Sequence, residues 1–292
     1  MIYYCADDYG LCNLSSMRIK ECLKNGALNK ISVLPNMRDI DFDNIENDVN
    51  ISLHINLVEG KALSDVRKVS LLTDKKGNFK HSFVGLLKLS LIKPKEFEKQ
   101  VYEEIKTQII FWKSMSEDNS ILIDSHQHIH MIPLIFKTLI KVLKEEKINV
   151  KYLRIPSEPV LPFLLAPSLY FTYNPINIVK QWLLKSFWQI NKKEFKKTKI
   201  PTALFFGILF SGKMDEKRVK KILPHYLKKA NKNKMDVEVL FHPGYIEKNE
   251  IVLKDCNKSF EKFYFSKHRK TEYNTLINLH NTKKEACTNA IY

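Results

Sequence analysis

Short apolar segments with the composition of β-strands alternate along this chain with longer segments that have helical periodicity. Strands and helices that alternate in this way are typical of α/β proteins with a mostly parallel sheet. We therefore expect an α/β fold. The pattern predicts strands near residues 2–6, 30–35, 50–57, 120–124, 150–155 and 236–241, and helices near residues 14–25, 95–115, 132–146 and 216–231.

Size and composition suit a globular protein. With 292 residues, of which 44% are hydrophobic, the chain can bury one barrel-sized core or, alternatively, two smaller ones. The five cysteines are odd in number and form no C-x-x-C pair, which argues against a disulfide framework and favours a reducing compartment. No secretion signal is recognisable, and the longest apolar stretch is broken by prolines and too short to cross a bilayer. We therefore expect a cytoplasmic protein.

The formal net charge of +16 comes mostly from lysine. Such an excess has two interpretations, either an anionic partner such as nucleic acid, a phosphorylated sugar or a lipid headgroup, or a lysine-rich composition without functional meaning. The sequence contains no P-loop, no dinucleotide-binding glycine motif and no RNP motif. We therefore expect no specific nucleic-acid partner.

An Asp and three His occupy every second position of one segment, namely Asp124, His126, His128 and His130. Side chains alternate faces along a strand, so all four would project to one side if the preceding strand continued through them. Asp and His are common metal ligands. Because His126 and His130 would lie about 13 Å apart along an ideal strand, we expect one His of the cluster to bind the ion and its neighbours to shape the pocket.

Further candidate residues lie within or directly after other predicted strands. Asp7 and Asp8 follow the first strand, His54 lies in the third, and His242 follows the last strand and precedes Pro-Gly. Ligands of parallel α/β sheets bind at the carboxyl ends of the strands. We therefore expect these residues and the His cluster to converge in space.

Each motif also has a structural interpretation. The adjacent carboxylates could cap a helix or a turn, His54 could be a hydrogen-bonded core residue, and His242 could belong to an ordinary Pro-Gly turn. Two carboxylates leaving a buried strand would repel each other without a cation, however, and three clustered imidazoles would each need a separate partner. The combination favours metal-dependent hydrolysis, and no G-x-S-x-G or H-E-x-x-H motif offers another chemistry.

Two regions depart from the alternation of strands and helices. Residues 60–94 contain a turn-like segment and few periodic stretches, which predicts an extended loop that borders the site. Residues 159–200 are rich in aromatic residues, leucine, proline and lysine. Within them, residues 178–188 predict an amphipathic helix with a basic flank.

Taken together, the motifs resemble the YdjC-like carbohydrate deacetylase family, which includes chitooligosaccharide and hopanoid-pathway deacetylases. The resemblance rests on four segments that occur in the family's order, residues 6–10, 53–60, 124–131 and 241–245. Residues 25–36 and 154–158 also fit the family pattern. Small departures occur at Tyr9, where Phe is usual, and at Gln127, where His is common.

The resemblance implies a distorted (β/α) TIM-like barrel that forms a single domain with loop and helical insertions. This domain would cover residues 1–275, with an insertion or lid near residues 160–200, and a C-terminal tail would cover residues 276–292. The resemblance also implies one divalent metal ion, Mg²⁺ or Zn²⁺, held by Asp8, His54 and His126. Asp7 would be the catalytic base and His242 the acid. Residues that would bind substrate or support the ligands are His128, His130, Asp124, Arg154, Glu158 and Tyr245.

The implied activity is removal of the acetyl group from an N-acetylated amino sugar, either an oligosaccharide or a lipid-linked glycan. Rival hypotheses are another metal-dependent amidohydrolase, a phosphoesterase and a non-enzymatic nucleic-acid-binding protein. The aromatic and basic segment at 160–200 could rest on an anionic membrane and admit a lipid-linked sugar. Its alternative roles are an ordinary lid or the surface of a homodimer.

Overall fold

Seven parallel strands in the described part of the chain form one sheet, which helices surround. The computed structural model describes residues 1–38, 40–115, 120–247, 250 and 265–289. The order across the sheet is β5-β4-β3-β2-β1-β7-β6, and the sheet curls into a half-barrel, which confirms the predicted α/β TIM-like fold. In chain order the strands are β1 Ile2–Tyr9, β2 Lys30–Val33, β3 Asn50–Ile55, β4 Ser120–Ser125, β5 Asn149–Leu153, β6 Leu204–Phe206 and β7 Val237–Phe241.

Helices cover the sheet and supply most of the apolar packing. In α4, Pro133 occupies the first turn, where its missing N–H costs no hydrogen bond, and the apolar side chains recur on one buried face. The described helices are α1 Asn13–Asn25, α2 Phe83–Ile92, α3 Pro94–Ser114, α4 Pro133–Glu145, α5 Leu161–Leu164, α6 Pro175–Thr198, α7 Glu216–Asn233 and α8 Lys267–Asn289. Two short 3₁₀ segments, His126–Met131 and Pro167–Thr172, follow β4 and α5.

The strands are buried on both faces, as expected for parallel strands that helices cover. All five residues of β7 are buried, as are the last six of β1. Charged side chains nevertheless lie inside the sheet, because Lys30 of β2 and Glu238 of β7 are both buried and form an ion pair of 3.0 Å. The ammonium of Lys30 also lies 3.8 Å from the carboxylate of Asp124, near the end of β4.

Strand register determines which residues meet at this edge of the sheet. Cys5 of β1 pairs with Leu240 of β7, and His54 of β3 pairs with Asp124 of β4. Because every strand runs in the same direction, the residues at the end of β1, β3, β4 and β7 lie side by side. The sheet therefore places several polar side chains around one point.

Helix α2 corrects the prediction that residues 60–94 form an extended loop. The helix begins after Ser82, whose Oγ accepts a hydrogen bond from the N–H of Gly85 at 3.3 Å. Its sequence is apolar on nearly all sides, so it lacks the amphipathic period by which a helix is recognised.

Elements in the second half of the chain extend the sequence predictions. Helix α6 confirms the predicted helix at 178–188 and lengthens it in both directions. The three-residue strand β6 has no counterpart among the predicted strands. The boundary placed after residue 275 falls within α8, where Leu276 is fully buried in the core, and residues 290–292 lie outside the described residues.

Candidate active site

The candidate residues at the strand ends surround one cavity of about 860 Å³. They come from β1 and β3 and from the segments that follow β4 and β7, although they are distant in sequence. The candidate residues among those that line the cavity are Asp7, Asp8, His54, His126, His128 and His242. The structure thus brings together both proposed catalytic residues and all three proposed metal ligands.

The His-rich segment does not continue β4, so the prediction that its side chains project to one side was wrong. Strand β4 ends at Ser125, and the next six residues form a 3₁₀ segment. Gln127 and His128 have φ values of 53° and 60°, in the left-handed region that non-glycine residues rarely adopt. The chain therefore turns directly after His126, and the three imidazoles enter different environments.

His130 lies behind the cavity and holds this turn together. Its Nδ1 pairs with the Ser125 hydroxyl, whose oxygen also accepts the His130 backbone N–H at 3.0 Å. Its Nε2 donates to the backbone carbonyl of Arg154 at 2.9 Å. Burial lowers the pKa of His130 to about 4, so the ring is neutral and structural at neutral pH.

Asp8, His54 and His126 form a buried group whose potential ligand atoms lie within 4.8 Å of one another. Asp8 Oδ1 lies 2.9 Å from His126 Nδ1 and 3.8 Å from His54 Nε2. Ligands about 2.0–2.2 Å from a common ion lie roughly 3–3.5 Å apart, so small shifts would bring all three onto one cation. Within the described part of the chain, the buried His54 Nε2 has no hydrogen-bond partner. These residues therefore fit a divalent metal ion.

Asp124 determines which nitrogen of His54 faces this group. The Nδ1 of His54 lies 2.6 Å from Asp124 Oδ1, and the second carboxylate oxygen accepts from Ser32 Oγ at 2.7 Å. Although burial opposes ionisation, Arg154 and His54 hold the pKa of Asp124 well below its usual range. Because a carboxylate only accepts, Nδ1 carries a hydrogen, and Nε2 is left on the side of Asp7 and Asp8, 3.8 Å from each, as the nitrogen available to a cation.

Two other buried groups of side chains have atoms that could bind a metal, but a positively charged side chain already lies beside each of them. Cys5, Asp124 and Glu238 form one, and Asp7, His54 and Asp124 form the other. The Arg154 guanidinium lies 3.2 Å from Asp124 and 2.7 Å from Glu238, where it supplies the compensating charge. The group around Asp8 is therefore the better candidate for the metal.

Arg154 also fixes Asp7 beside the candidate metal group. Its two terminal nitrogens donate to the two oxygens of Asp7 at 2.8 and 2.9 Å, a bidentate pair with little rotational freedom. The same guanidinium donates to Glu238 through Nε at 3.0 Å. Asp7 Oδ2 lies 3.8 Å from His54 Nε2. Asp7 is therefore a carboxylate held next to the ligands without being one of the best-placed three.

Two residues of α8 complete the site, and the sequence analysis missed both. Arg269 donates to Asp8 Oδ2 at 2.6 Å and to the carbonyl of Gly244 at 3.2 Å. Burial opposes ionisation of Asp8, but His126 and Arg269 hold its pKa well below the usual range. The signal was hidden because Arg269 lies in a run of basic residues, 267–270, that resembles an ordinary solvated face.

The second α8 residue, Glu272, orients His242. Its Oε2 accepts the backbone N–H of His242 at 2.6 Å and lies 3.5 Å from the ring Nδ1, while Oε1 accepts the N–H of Gly212 at 2.8 Å. The His242 side chain is 16% exposed, in contrast to the buried imidazoles, and borders the cavity. A partly hydrated imidazole beside a carboxylate can carry and release a proton.

His128 borders the same cavity in a different electrostatic environment. Its ring edge lies against Phe205, with centroids 5.7 Å apart. Burial, together with the positive charges of Lys180 and Arg154, holds the pKa of His128 well below its usual value. The ring is therefore neutral and can bind a substrate group by a hydrogen bond but carries no charge.

Glu158 and Tyr245 lie outside the cavity lining. The Glu158 carboxylate accepts the backbone N–H groups of Gly207, Ile208 and Leu209 at 2.6, 2.8 and 3.0 Å. Its burial raises its pKa to about 7 despite these donors. The Tyr245 ring lies under the Arg18 guanidinium at 4.8 Å.

Parts of this chain are similar in sequence to known carbohydrate deacetylases. A carbohydrate deacetylase of Danio rerio is 29% identical over 163 residues, which are 54% of this chain and 50% of that protein. One of Thermoanaerobacter pseudethanolicus is 26% identical over 185 residues, 61% of this chain and 72% of that protein. One of Xenopus laevis is 29% identical over 159 residues, 52% of this chain and 49% of that protein. The matched part spans about half the length of the two vertebrate relatives.

A solved structure shares the fold over nearly the whole chain. It is a candidate cellobiose-phosphate cleavage protein from Enterococcus faecalis V583, with a TM-score of 0.67 and 17% sequence identity. The match covers 97% of this chain and 94% of that one.

The sequence pattern of YdjC-like proteins matches residues 1–283, and the chain therefore belongs to the YdjC-like protein family.

Proposed function

We propose that this protein is a carbohydrate deacetylase that hydrolyses the acetamide of an N-acetylated amino sugar to acetate and a free amine. The observation that carries the proposal is the buried group of Asp8, His54 and His126, with the Asp7 carboxylate held beside it in one cavity. The relatives named carbohydrate deacetylase support the substrate class.

The metal ion of the proposal is one divalent cation, held by Asp8, His54 and His126. When bound, it would lower the pKa of a water molecule and polarise the acetyl carbonyl. Two imidazoles favour Zn²⁺ or another transition ion, whereas the carboxylate and the family resemblance also allow Mg²⁺. Metal analysis of protein purified without added ions would identify it.

The protein's own residues would move the protons. Asp7, oriented by Arg154, would accept the proton of the attacking water, and His242, oriented by Glu272, would protonate the departing sugar nitrogen. Each such transfer is typically worth about 10²–10⁴ in rate. His128, neutral and at the cavity wall, would bind a polar group of the sugar.

The proposal places the reaction in the cytoplasm. The thiols of Cys5 and Cys22 are buried and free, as expected in a reducing compartment. The substrate is an N-acetylated oligosaccharide or a lipid-linked glycan, and the protein acts alone or as a homodimer.

The direct test is acetate release from N-acetylglucosamine oligomers by the purified, metal-loaded protein. We expect acetate from the wild type and none from an Asp8→Ala, His126→Ala double variant. Retained activity in the double variant would contradict the assignment. Phosphate release from a generic phosphate ester, with no acetate from any N-acetylated sugar, would favour the phosphoesterase instead.

A further inference from the structure

The mouth of the catalytic cavity is apolar on its outer side. Val84 of α2 and Ile176 and Val179 of α6 line the cavity, yet 56%, 74% and 68% of their surfaces are exposed. Single exposed apolar residues are common on proteins, but apolar side chains grouped around a functional opening indicate an apolar partner. A free oligosaccharide offers few apolar groups to such a mouth.

The apolar surface continues outward along the same helices. Leu91 and Ile92 at the end of α2 are 74% and 73% exposed, and Trp182 of α6 is 62% exposed. Phe171, in the 3₁₀ segment before α6, is fully exposed at 102%. We call the exposed apolar side chains of residues 84–92 and 160–190 the rim. Elsewhere in the described residues, the exposed large apolar side chains are Met1, Met17, Ile110, Phe111 and Met115.

The rim carries positive charge and no negative charge. Residues 84–92 contain Lys88 and residues 160–190 contain Lys180 and Lys185, and neither stretch contains Asp or Glu. The ammonium of Lys185 lies 5.7 Å from the centre of the Trp182 ring, so aromatic and basic groups adjoin. This combination complements an anionic lipid surface, where apolar side chains enter the acyl boundary and lysines meet the headgroups.

A second copy of the chain is a poorer occupant of the rim. A symmetric dimer would place the same surface on both partners, so lysines would face lysines with no carboxylate in either stretch to pair with them. In addition, no helix in the described part of the chain has the length and apolarity to span a bilayer. Contact with lipid would therefore be peripheral.

We propose that the rim rests on an anionic bilayer and that the substrate is an N-acetylated sugar attached to a lipid in that bilayer. This inference rests on the proposed deacetylase function and names the class of substrate. The acetamide reaches Asp7 and the metal group, while the apolar part of the substrate leaves the cavity past Val84, Ile176 and Val179.

The first test is binding of the full-length protein to vesicles, measured by co-sedimentation. We expect at least about tenfold tighter binding to phosphatidylglycerol-containing vesicles than to phosphatidylcholine vesicles, and weaker binding in high salt. A Phe171→Ser, Trp182→Ser variant should lose at least about tenfold in binding. The matched control, Met17→Ser with Ile110→Ser, removes exposed apolar side chains elsewhere and should bind like the wild type.

The second test separates the lipid inference from the deacetylase proposal. Acetate release is measured from a water-soluble N-acetylglucosamine oligomer and from an N-acetylglucosaminyl diacylglycerol in anionic vesicles. We expect the Phe171→Ser, Trp182→Ser variant to keep its activity on the oligomer within about twofold and to lose activity on the lipid, since neither residue lines the cavity.

Three outcomes would overturn the inference. They are a wild type that does not bind anionic vesicles, equal vesicle binding by both double variants, and a wild-type dimer in sedimentation velocity that Phe171→Ser, Trp182→Ser dissociates. Absence of acetate from both substrates, with intact vesicle binding, would instead overturn the deacetylase proposal and leave the membrane contact standing.

Discussion

The floor of the cavity, which we define as Asp7, Asp8, His54 and His126, and the rim are built in opposite ways. On the floor, each carboxylate is buried and has at least two partners: Asp7 binds both terminal nitrogens of Arg154, and Asp8 contacts His126 and Arg269. At the rim, Ile176 and Val179 are mostly exposed. The floor is held by strand ends and paired charges, whereas the rim belongs to helices outside the sheet.

This difference separates two tasks. The proposed chemistry requires ligands and a base fixed within fractions of an ångström, and buried ion pairs at strand ends supply that rigidity. The selection of substrate depends on a surface that can change without disturbing the floor. Substitutions on the floor should therefore affect metal binding and turnover, and those on the rim should affect which substrate is used.

The largest effect is expected from His126→Ala. Removal of this ligand from the Asp8 group should eliminate bound divalent metal and reduce acetate release to background. Elemental analysis and an acetate assay would measure the two losses, with Phe171→Ser, Trp182→Ser as the rim control that keeps its metal. Full metal content in His126→Ala would contradict the assignment of metal binding to the Asp8 group and, with it, the difference expected between floor and rim.

Asp7→Asn should separate the base from the ligands. The amide keeps the shape of the side chain but accepts protons poorly, so metal content should persist while kcat falls by about 10²–10⁴. A metal loss equal to that of His126→Ala would instead make Asp7 a ligand.

Asp124→Asn should lower the affinity for metal through His54, which Asp124 orients. The amide no longer enforces a hydrogen on Nδ1 of His54, and loss of such a partner typically costs 10–100-fold in metal affinity. Titration with a competing chelator would measure the affinity. Ser32→Ala, which removes the neutral donor to Asp124 and an acceptor 3.3 Å from Arg154, is the matched control and should change affinity less.

Glu158→Gln should give the smallest effect on chemistry and a visible effect on stability. An amide nitrogen would face backbone donors of the segment after β6, at a cost of about 1–3 kcal/mol in unfolding free energy, with metal content unchanged. The raised pKa of Glu158, about 7 against a usual 4.5, means that the folded state binds more protons between these values. Its contribution to stability is therefore lost as pH rises through about 7.

Urea unfolding at pH 5, 6, 7 and 8 would measure both effects. The wild type should lose part of its stability across this range, and the Gln variant, which cannot titrate at this position, should show a flatter dependence. Identical slopes in the two proteins would contradict the role assigned to Glu158.

The sequence predicted the residues at the floor of the cavity better than the helices at its rim. Six of the strands and the residues at their ends were recognisable because buried parallel strands are short apolar runs and their carboxyl ends must coincide. Helix α2 was missed because its apolar residues face several directions, including solvent. Helices are predicted from apolar residues that recur on one buried face, and an exposed apolar helix does not follow this pattern.

Two features of the floor also escaped prediction, for different reasons. The alternation from Asp124 to His130 has the period of a strand, but left-handed backbone at Gln127 and His128 turns the chain, and such φ values leave no signal in non-glycine residues. Arg269 and Glu272 act through tertiary contacts from α8, and charges on a lysine-rich helix resemble a solvated surface.

The contact between Arg269 and Asp8 joins residues separated by 261 positions. In synthesis from the amino end, Asp8 is made long before Arg269. Until α8 docks against the sheet, the Asp8 carboxylate lacks its Arg269 partner. The charge network around Asp8 is therefore complete only when the two distant parts of the chain have come together.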